Sequence, residues 1–411
     1  MSFIIAGIDV HKRVLMVAVA DASTAEEDRE FQYRRFGTSR VELEHLAAWL
    51  DANGVREAVM ESTAQYWKPV WLALEGRCQL HLAQAWSNRA PKGRKTDFKD
   101  AQRLVRRQIA GELTLSFVPD AEQRPLRTLT RRRVQLSGDR VRLQNQLEAL
   151  LEEMRIKLSS VVTDLLGASG QRILAAIAKG EDDPEKLAAL GDARLKCTRE
   201  QLQDALASPP PVLRQVLGML LEQVALLDRQ MEEVSRLTAE AMRGWQDAVA
   251  RLAEIPGIRT LTAQQILAEA GHQAAAFPSA AQFASWIGAC PGRNESAGVN
   301  HSARCPKGNR YLRRSLCQAA QAAVRTKNSH FQAVFRRLSY KLSYPQAIWA
   351  IVRRLAEVIW KILHAGVRYE ERGSLSTPQA IKRRLQRLAK ELRAAGYSVE
   401  VKPPATMQAP A

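Results

Sequence analysis

Residues 3–20, FIIAGIDVHKRVLMVAVA, hold two apolar, β-branched runs separated by a short polar stretch at His11 and Lys12. Strands this close in sequence pair as an antiparallel hairpin, because a parallel pair needs a crossover of a dozen residues or more. FQYRRF continues as a third strand. RVELEHLAAWLDANG then sets Val41, Leu43, Leu46, Ala47 and Leu50 at helical spacing and stops at Gly54. REAVMES reads as a strand, YWKPVWLALEG as a helix, and CQLHLAQA as a strand. The order β-β-β-α-β-α-β, followed by a further helix, predicts an α/β class with a mixed sheet and helices on its faces.

Four acids fall at informative places in this pattern. Asp9 closes the first apolar strand and Glu61 closes EAVME. In GRKTDFKDAQRL, Asp97 and Asp100 are three apart and share one face if a helix starts after Thr96. Acids at a helix N-terminus also complement its dipole, so that pair decides nothing alone. A carboxylate ending a buried strand is costly unless solvated, paired or metal-bound. Four converging on one sheet edge repel one another, and divalent cations relieve the repulsion. Hard oxygen ligands suit Mg²⁺ or Mn²⁺, the ions of two-metal phosphoryl chemistry. The competing reading is a turn former, a surface acid and a helix cap.

The chain has 411 residues and a formal net charge of +18. In a soluble protein such a bias points first to a polyanionic partner, DNA or RNA. No apolar run approaches the roughly 20 residues that span a bilayer, and MSFIIAGIDV lacks the basic start of a signal peptide. The expectation is a cytoplasmic protein with no membrane partner. Five cysteines with no CxxC pair argue for reduced thiols, and Cys290, His301, Cys305 and Cys317 match no usual zinc spacing.

Leucines recur from Glu122 to Met154, and a second such stretch runs from Val212 to about Ala248. Both are long for globular helices and suit an antiparallel helical arm. GASG, KGEDDPEKL and SPPP punctuate the connection between them. Arg124, Arg127 and Arg131 share one helical face with Arg132 and Arg133 beside them, either a phosphate rail or a solvated charged face.

LAEIPGIRTLTAQQILAEAG has the pattern of a helix-hairpin-helix, with Arg259 standing where the hairpin's second glycine is usual. After it comes a Gly/Pro/Asn loop and then a helix with Arg310, Arg313 and Arg314 facing away from Leu312, Leu316 and Ala320. His301 to Ala356 contains no acid, while Arg304, Lys307, Arg310, Arg313, Arg314 and seven further bases are present. A solvated surface normally mixes signs, so this one is expected to meet phosphates. A serine on a loop amid guanidinium groups also suits a nucleophile.

GIDVHK, MESTAQYWKP and KTDFKDAQRL, in that order and spacing, resemble the three catalytic blocks of the DEDD insertion-sequence transposases, also called bridge recombinases. CPGRNESAG and KGNRYLRR resemble the loop and helix of that family's C-terminal transposase domain. The resemblance implies a RuvC-like ribonuclease H fold and a metal-binding tetrad of Asp9, Glu61, Asp97 and Asp100. It places the catalytic serine at Ser296, with Ser302 second. It further implies a coiled-coil insertion for self-assembly, a homo-oligomer (dimer or tetramer), a structured noncoding guide RNA, donor and target DNA, and a 5′ phosphoserine intermediate.

The expected layout is a catalytic domain at 1–120, a helical arm at 121–248, a serine-bearing domain at 249–370, and a basic helix with disordered tail at 371–411. Arg127, Arg131, Arg259, Lys307, Arg310, Arg313 and Arg314 are the expected nucleic-acid contacts. Rival readings are a hydrolytic RuvC-type junction nuclease, a non-catalytic nucleic-acid binder and an actin-like ATPase. The last lacks the expected phosphate-loop glycines.

Overall fold

The hairpin forms as read: β1 (Ile4–Val10) and β2 (Val14–Asp21) pair antiparallel, with Asp9 opposite Met16. This is a computed structural model. It describes residues 3–25, 30–62, 64–88, 97–292, 294–296, 299–302, 304–371, 373, 378–394 and 396–399. For Asp97, 294–296, 299–302, 378–384 and 387 the backbone alone is described.

The chain divides into two compact units, Met1–Val118 and Pro119–Ala411. In the first, β3 (Gln32–Gly37), α1 (Arg40–Ala52), β4 (Val55–Glu61), α2 (Trp67–Leu74) and β5 (Gln79–Ala83) follow the hairpin. A 3₁₀ turn over Ala85–Asn88 and α3 (Asp97–Ile109) come next. The five strands lie in the order β3-β2-β1-β4-β5, with β1, β4 and β5 parallel to one another.

Period-two alternation assigns the faces. Ala6, Ile8, Val10, Ala58 and Met60 pack with Leu43, Leu46 and Leu50 of α1 and with Val70 and Leu74 of α2. Ile5, Ala18 and Ala20 meet Ala101 and Val105 of α3 on the other face, and Val59 meets Leu104. Asp9 keeps step with Ile5 and Gly7, and Glu61 with Val59, so both acids belong to the α3 face. Gly7 is what lets α3 come so near, since a Cβ there would lie 2.1 Å from the Ala101 carbonyl oxygen.

The second unit opens with α4 (Gln123–Glu153), which pairs with α9 (Pro211–Ala241). The two run antiparallel, because Arg133 reaches Ser235 while Arg140, further along α4, reaches Asp228, earlier on α9. The connection read only as punctuation folds into α5 (Leu158–Val161), α6 (Ala168–Ala178), α7 (Pro184–Ala189) and α8 (Arg199–Asp204). Their Ile173, Leu174, Ile177 and Leu202 form a core with Leu147 and Leu151 of α4 and Leu217 of α9.

The second long helix ends at Ala241, short of the expected Ala248. A 3₁₀ turn over Arg243–Trp245 follows, then α10 (Gln246–Ala253). Trp245, only 9% exposed, anchors that break.

The remaining elements are α11 (Thr260–Ala270), α12 (Ala280–Ile287), β6 (Asn294–Ser296), β7 (Val299–Ser302), α13 (Arg310–Ala323), α14 (His330–Leu338), α15 (Tyr344–Ala365) and α16 (Pro378–Ala394). Ile348, Ile351, Val352, Leu355, Ile359 and Ile362 give α15 a continuous buried stripe, against which α12 and α13 pack. No described helix is long and apolar enough to cross a membrane. The tail 400–411 lies outside the described residues.

Candidate active site and nucleic-acid interface

Parallel pairing of β1 with β4 sets Ile8 beside Met60, so the next residues, Asp9 and Glu61, end adjacent strands on the same face. Asp100 sits one turn into α3, the helix that Gly7 admits to that face. Their proximity registers in the acidity of Asp9. Burial pushes its carboxyl above the usual range, and the charges of Asp100 and Glu61 push it further; His11, with Nε2 3.1 Å from Asp9 Oδ2, works the other way.

Arg103 pairs with Asp100, and Glu61 Oε2 accepts a hydrogen bond of 2.9 Å from Asn88 Nδ2. The Asp97 side chain lies outside the described residues. Among the described residues no three metal-ligating side chains stand close enough together to hold an ion. The donor set nevertheless suits a hard divalent cation: Asp9, Glu61 and Asp100 bring carboxylates from three elements to one face, and the Asn88 Oδ1, on the amide that holds Glu61, is buried without a hydrogen-bond partner among the described residues.

The arginines expected on nucleic acid divide into two groups. Arg127 is buried against α11, donating to the carbonyls of Ala268 and Glu269. Burial draws its pKa down to about 10 in spite of the nearby Glu269 carboxylate. Arg131 grips Glu269 with two hydrogen bonds of 2.7 and 2.8 Å. Glu269 itself is fully buried and also accepts from Asn309 Nδ2 at 2.7 Å.

Arg313 is likewise turned inward. It donates to the carbonyls of Gly288 and Pro306 and lies 4.2 Å from the Trp349 ring. The helical face carrying Arg127 and Arg131 packs on α11, and burial of that face diverts them from solvent. Arg259, Lys307, Arg310 and Arg314 are exposed. Of the bases between His301 and Ala356, Arg304, Arg325, Lys327, Arg336, Arg337, Lys341, Arg353 and Arg354 are exposed as well.

The hairpin before α11 turns at Gly257, whose φ is +86° and whose added Cβ would lie 2.2 Å from the Ala319 carbonyl oxygen. That contact seats the turn on α13. Arg259 occupies the N-cap position of α11 without a side-chain cap bond. Ser296 ends β6 opposite Val299 of β7. Its side chain, and that of Ser302, lie outside the described residues.

Sequence reasoning missed His11, Asn88, Glu269 and Asn309. Asn309 has a legible signal, an asparagine just before a helix, and its Oδ1 caps the N–H groups of Tyr311 and Leu312. Glu269 was visible as a lone acid in the apolar run ILAEAG.

A family model described as "Transposase IS116/IS110/IS902 family" matches residues 249–336, and a transposase model for the DEDD domain of IS110 elements matches residues 6–156. The "Probable family 20 transposase" of Pseudomonas aeruginosa is 27% identical over 278 residues, covering 66% of this chain and 73% of that protein. The "Insertion element IS900 uncharacterized 42 kDa protein" of Mycobacterium paratuberculosis is 25% identical over 315 residues, covering 71% and 76%. A 43.6 kDa protein of insertion element IS110 from Streptomyces coelicolor is 29% identical over 122 residues, covering 29% and 30%. The DEDD match implies a RuvC-like fold for the first unit, in accord with its mixed five-stranded sheet. Matches over 6–156 and 249–336 and these relatives make the chain similar to the DEDD insertion-sequence transposases of the IS110/IS116 type.

Proposed function

We propose that this protein is an RNA-guided DNA recombinase that moves an insertion element through the carboxylates Asp9, Glu61, Asp97 and Asp100 and the nucleophile Ser296. The observation that carries the reading is the convergence of acids on one sheet edge: Asp9 and Glu61 share a face on adjacent parallel strands, and Asp9 is held above its usual range by burial and by the charges of Asp100 and Glu61, on two other elements. A divalent cation held there, Mg²⁺ or Mn²⁺, would supply Lewis-acid polarisation of the scissile phosphate. The Ser296 hydroxyl would give its proton to solvent water, which returns one to the departing 3′ oxygen, while Oγ attacks phosphorus. A bond forms from Oγ to the 5′ phosphate, the bond to the 3′ oxygen breaks, and the departing strand leaves as a 3′ hydroxyl. A strand joins when a 3′ hydroxyl reverses that exchange.

The acid-free stretch between His301 and Ala356, with its exposed bases, supports binding of DNA and a structured guide RNA by phosphate contacts. Cutting and rejoining several strands requires several copies of a chain that carries one such set of groups. The test is to incubate the full chain, with RNA that copurifies with it, and a labelled DNA carrying its element's ends. A covalent protein–DNA adduct that Ser296→Ala abolishes is expected. Cleavage without an adduct, undiminished by Ser296→Ala, would instead identify a hydrolytic nuclease.

A further inference from the structure

We infer that Asn88 is a member of the cation site, setting the Glu61 carboxylate with its amide N–H and holding its Oδ1 as a neutral oxygen for the same cation. The inference rests on the reading of the acids as cation ligands. Asn88 ends the 3₁₀ turn that follows β5, and β5 pairs in parallel with β4, with Ala83 beside Glu61. The turn is firmly held. Ser87 N–H donates to the Gln84 carbonyl, the Ser87 carbonyl accepts from Arg107 of α3 at 2.6 Å, and Ser87 Oγ accepts from Thr114 N–H.

This scaffold leaves Asn88 only 5% exposed. Its Nδ2 lies 2.9 Å from Glu61 Oε2, and the opposite amide orientation would set two acceptors against each other. The donor therefore faces Glu61, and Oδ1 is left buried with no hydrogen-bond partner among the described residues. A buried acceptor without a donor is unfavourable, and the amide that carries it is bonded to Glu61, whose carboxylate shares a sheet face with that of Asp9 on the adjacent strand. A bound hard cation, or a water on it, satisfies both at once. Groups that orient a ligating carboxylate typically change metal affinity about 10–100-fold when removed.

The experiment titrates MnCl₂ calorimetrically into the full-length chain and measures Tm with and without Mn²⁺ for the parent, Asn88→Leu, Asn88→Asp and Asp9→Asn. Asn88→Leu keeps the shape and removes both amide atoms. It is expected to weaken Mn²⁺ binding about tenfold or more, with a metal-free Tm no lower than the parent's. Asn88→Asp sets a further carboxylate against Glu61, so its metal-free Tm falls while its Mn²⁺-induced rise exceeds the parent's. An amide with a purely structural role would shift both melting points together. Parent affinity in Asn88→Leu, or equal Tm losses with and without Mn²⁺ in Asn88→Asp, overturns the inference; if the leucine variant fails to fold, the aspartate variant decides. Parent affinity in Asp9→Asn would overturn the acid-cluster reading itself, whereas loss there with parent affinity at Asn88→Leu sinks only the role of Asn88.

Discussion

Asp9 shows how a single carboxyl can be unfavourable for the fold and yet, on the function proposed above, be needed for the reaction. Its folded pKa is raised by burial and by Asp100 and Glu61. Between its unfolded and folded values, the native chain binds more protons than the unfolded chain, so stability falls as pH rises through that window. Asp9→Asn removes this dependence. In chelator at neutral pH it is expected to melt above the parent, with a smaller loss of Tm between mildly acidic and neutral pH, while strand cleavage drops on the order of 10³-fold for several kcal/mol of lost transition-state stabilisation. Melting scans and gel assays of labelled DNA check the two halves. Equal or lower metal-free stability at neutral pH would remove the repulsion argument.

At the scale of elements, the site depends on how closely α3 approaches β1. A Cβ at Gly7 would press on the Ala101 carbonyl, a backbone atom that only movement of the helix can relieve. Gly7→Ala is therefore expected to cost about 1–3 kcal/mol and to suppress cleavage by carrying Asp100 away from Asp9. Urea unfolding and the cleavage assay measure both effects.

The sheet was legible because strands alternate with period two and their flanking helices end at glycine. The same alternation puts Asp9 and Glu61 on one face. Helical spacing was less informative, since it says which residues share a face and not which partner covers it. Arg127 and Arg131 share a face as read, and that face meets α11 and the buried Glu269. The short helices α5 to α8 escaped because each spans two or three turns at most, too few for a period to show among glycines and prolines. Asn88 lies in a turn, where no periodicity exists to mark it. Glu269→Ala would leave two guanidinium groups without their carboxylate and is expected to destabilise the fold by about 3–5 kcal/mol, measured as a drop in urea midpoint.

Across the whole molecule, a net charge of +18 gives a general attraction to nucleic acid, which salt weakens, but only cations free to meet phosphates set the steepness of that weakening. The structure separates the two kinds. Arg310 and Arg314 are exposed on α13, whereas Arg313, between them in sequence, is spent on the carbonyls of Gly288 and Pro306 and on Trp349. Arg310→Ala and Arg314→Ala are expected to weaken DNA and RNA binding, each reducing the slope of log K against log salt by about one while leaving Tm unchanged. Arg313→Ala has the opposite profile, a lower Tm from the Gly288 and Pro306 carbonyls left without their donor, and a slope near the parent's. Filter binding over a series of salt concentrations, paired with melting scans of the same three variants, reads both quantities. Parent slopes in Arg310→Ala and Arg314→Ala together would mean that the acid-free face meets a neighbouring subunit instead. The charge would then favour assembly, and the phosphate contacts would have to be sought at Arg259 and Lys307.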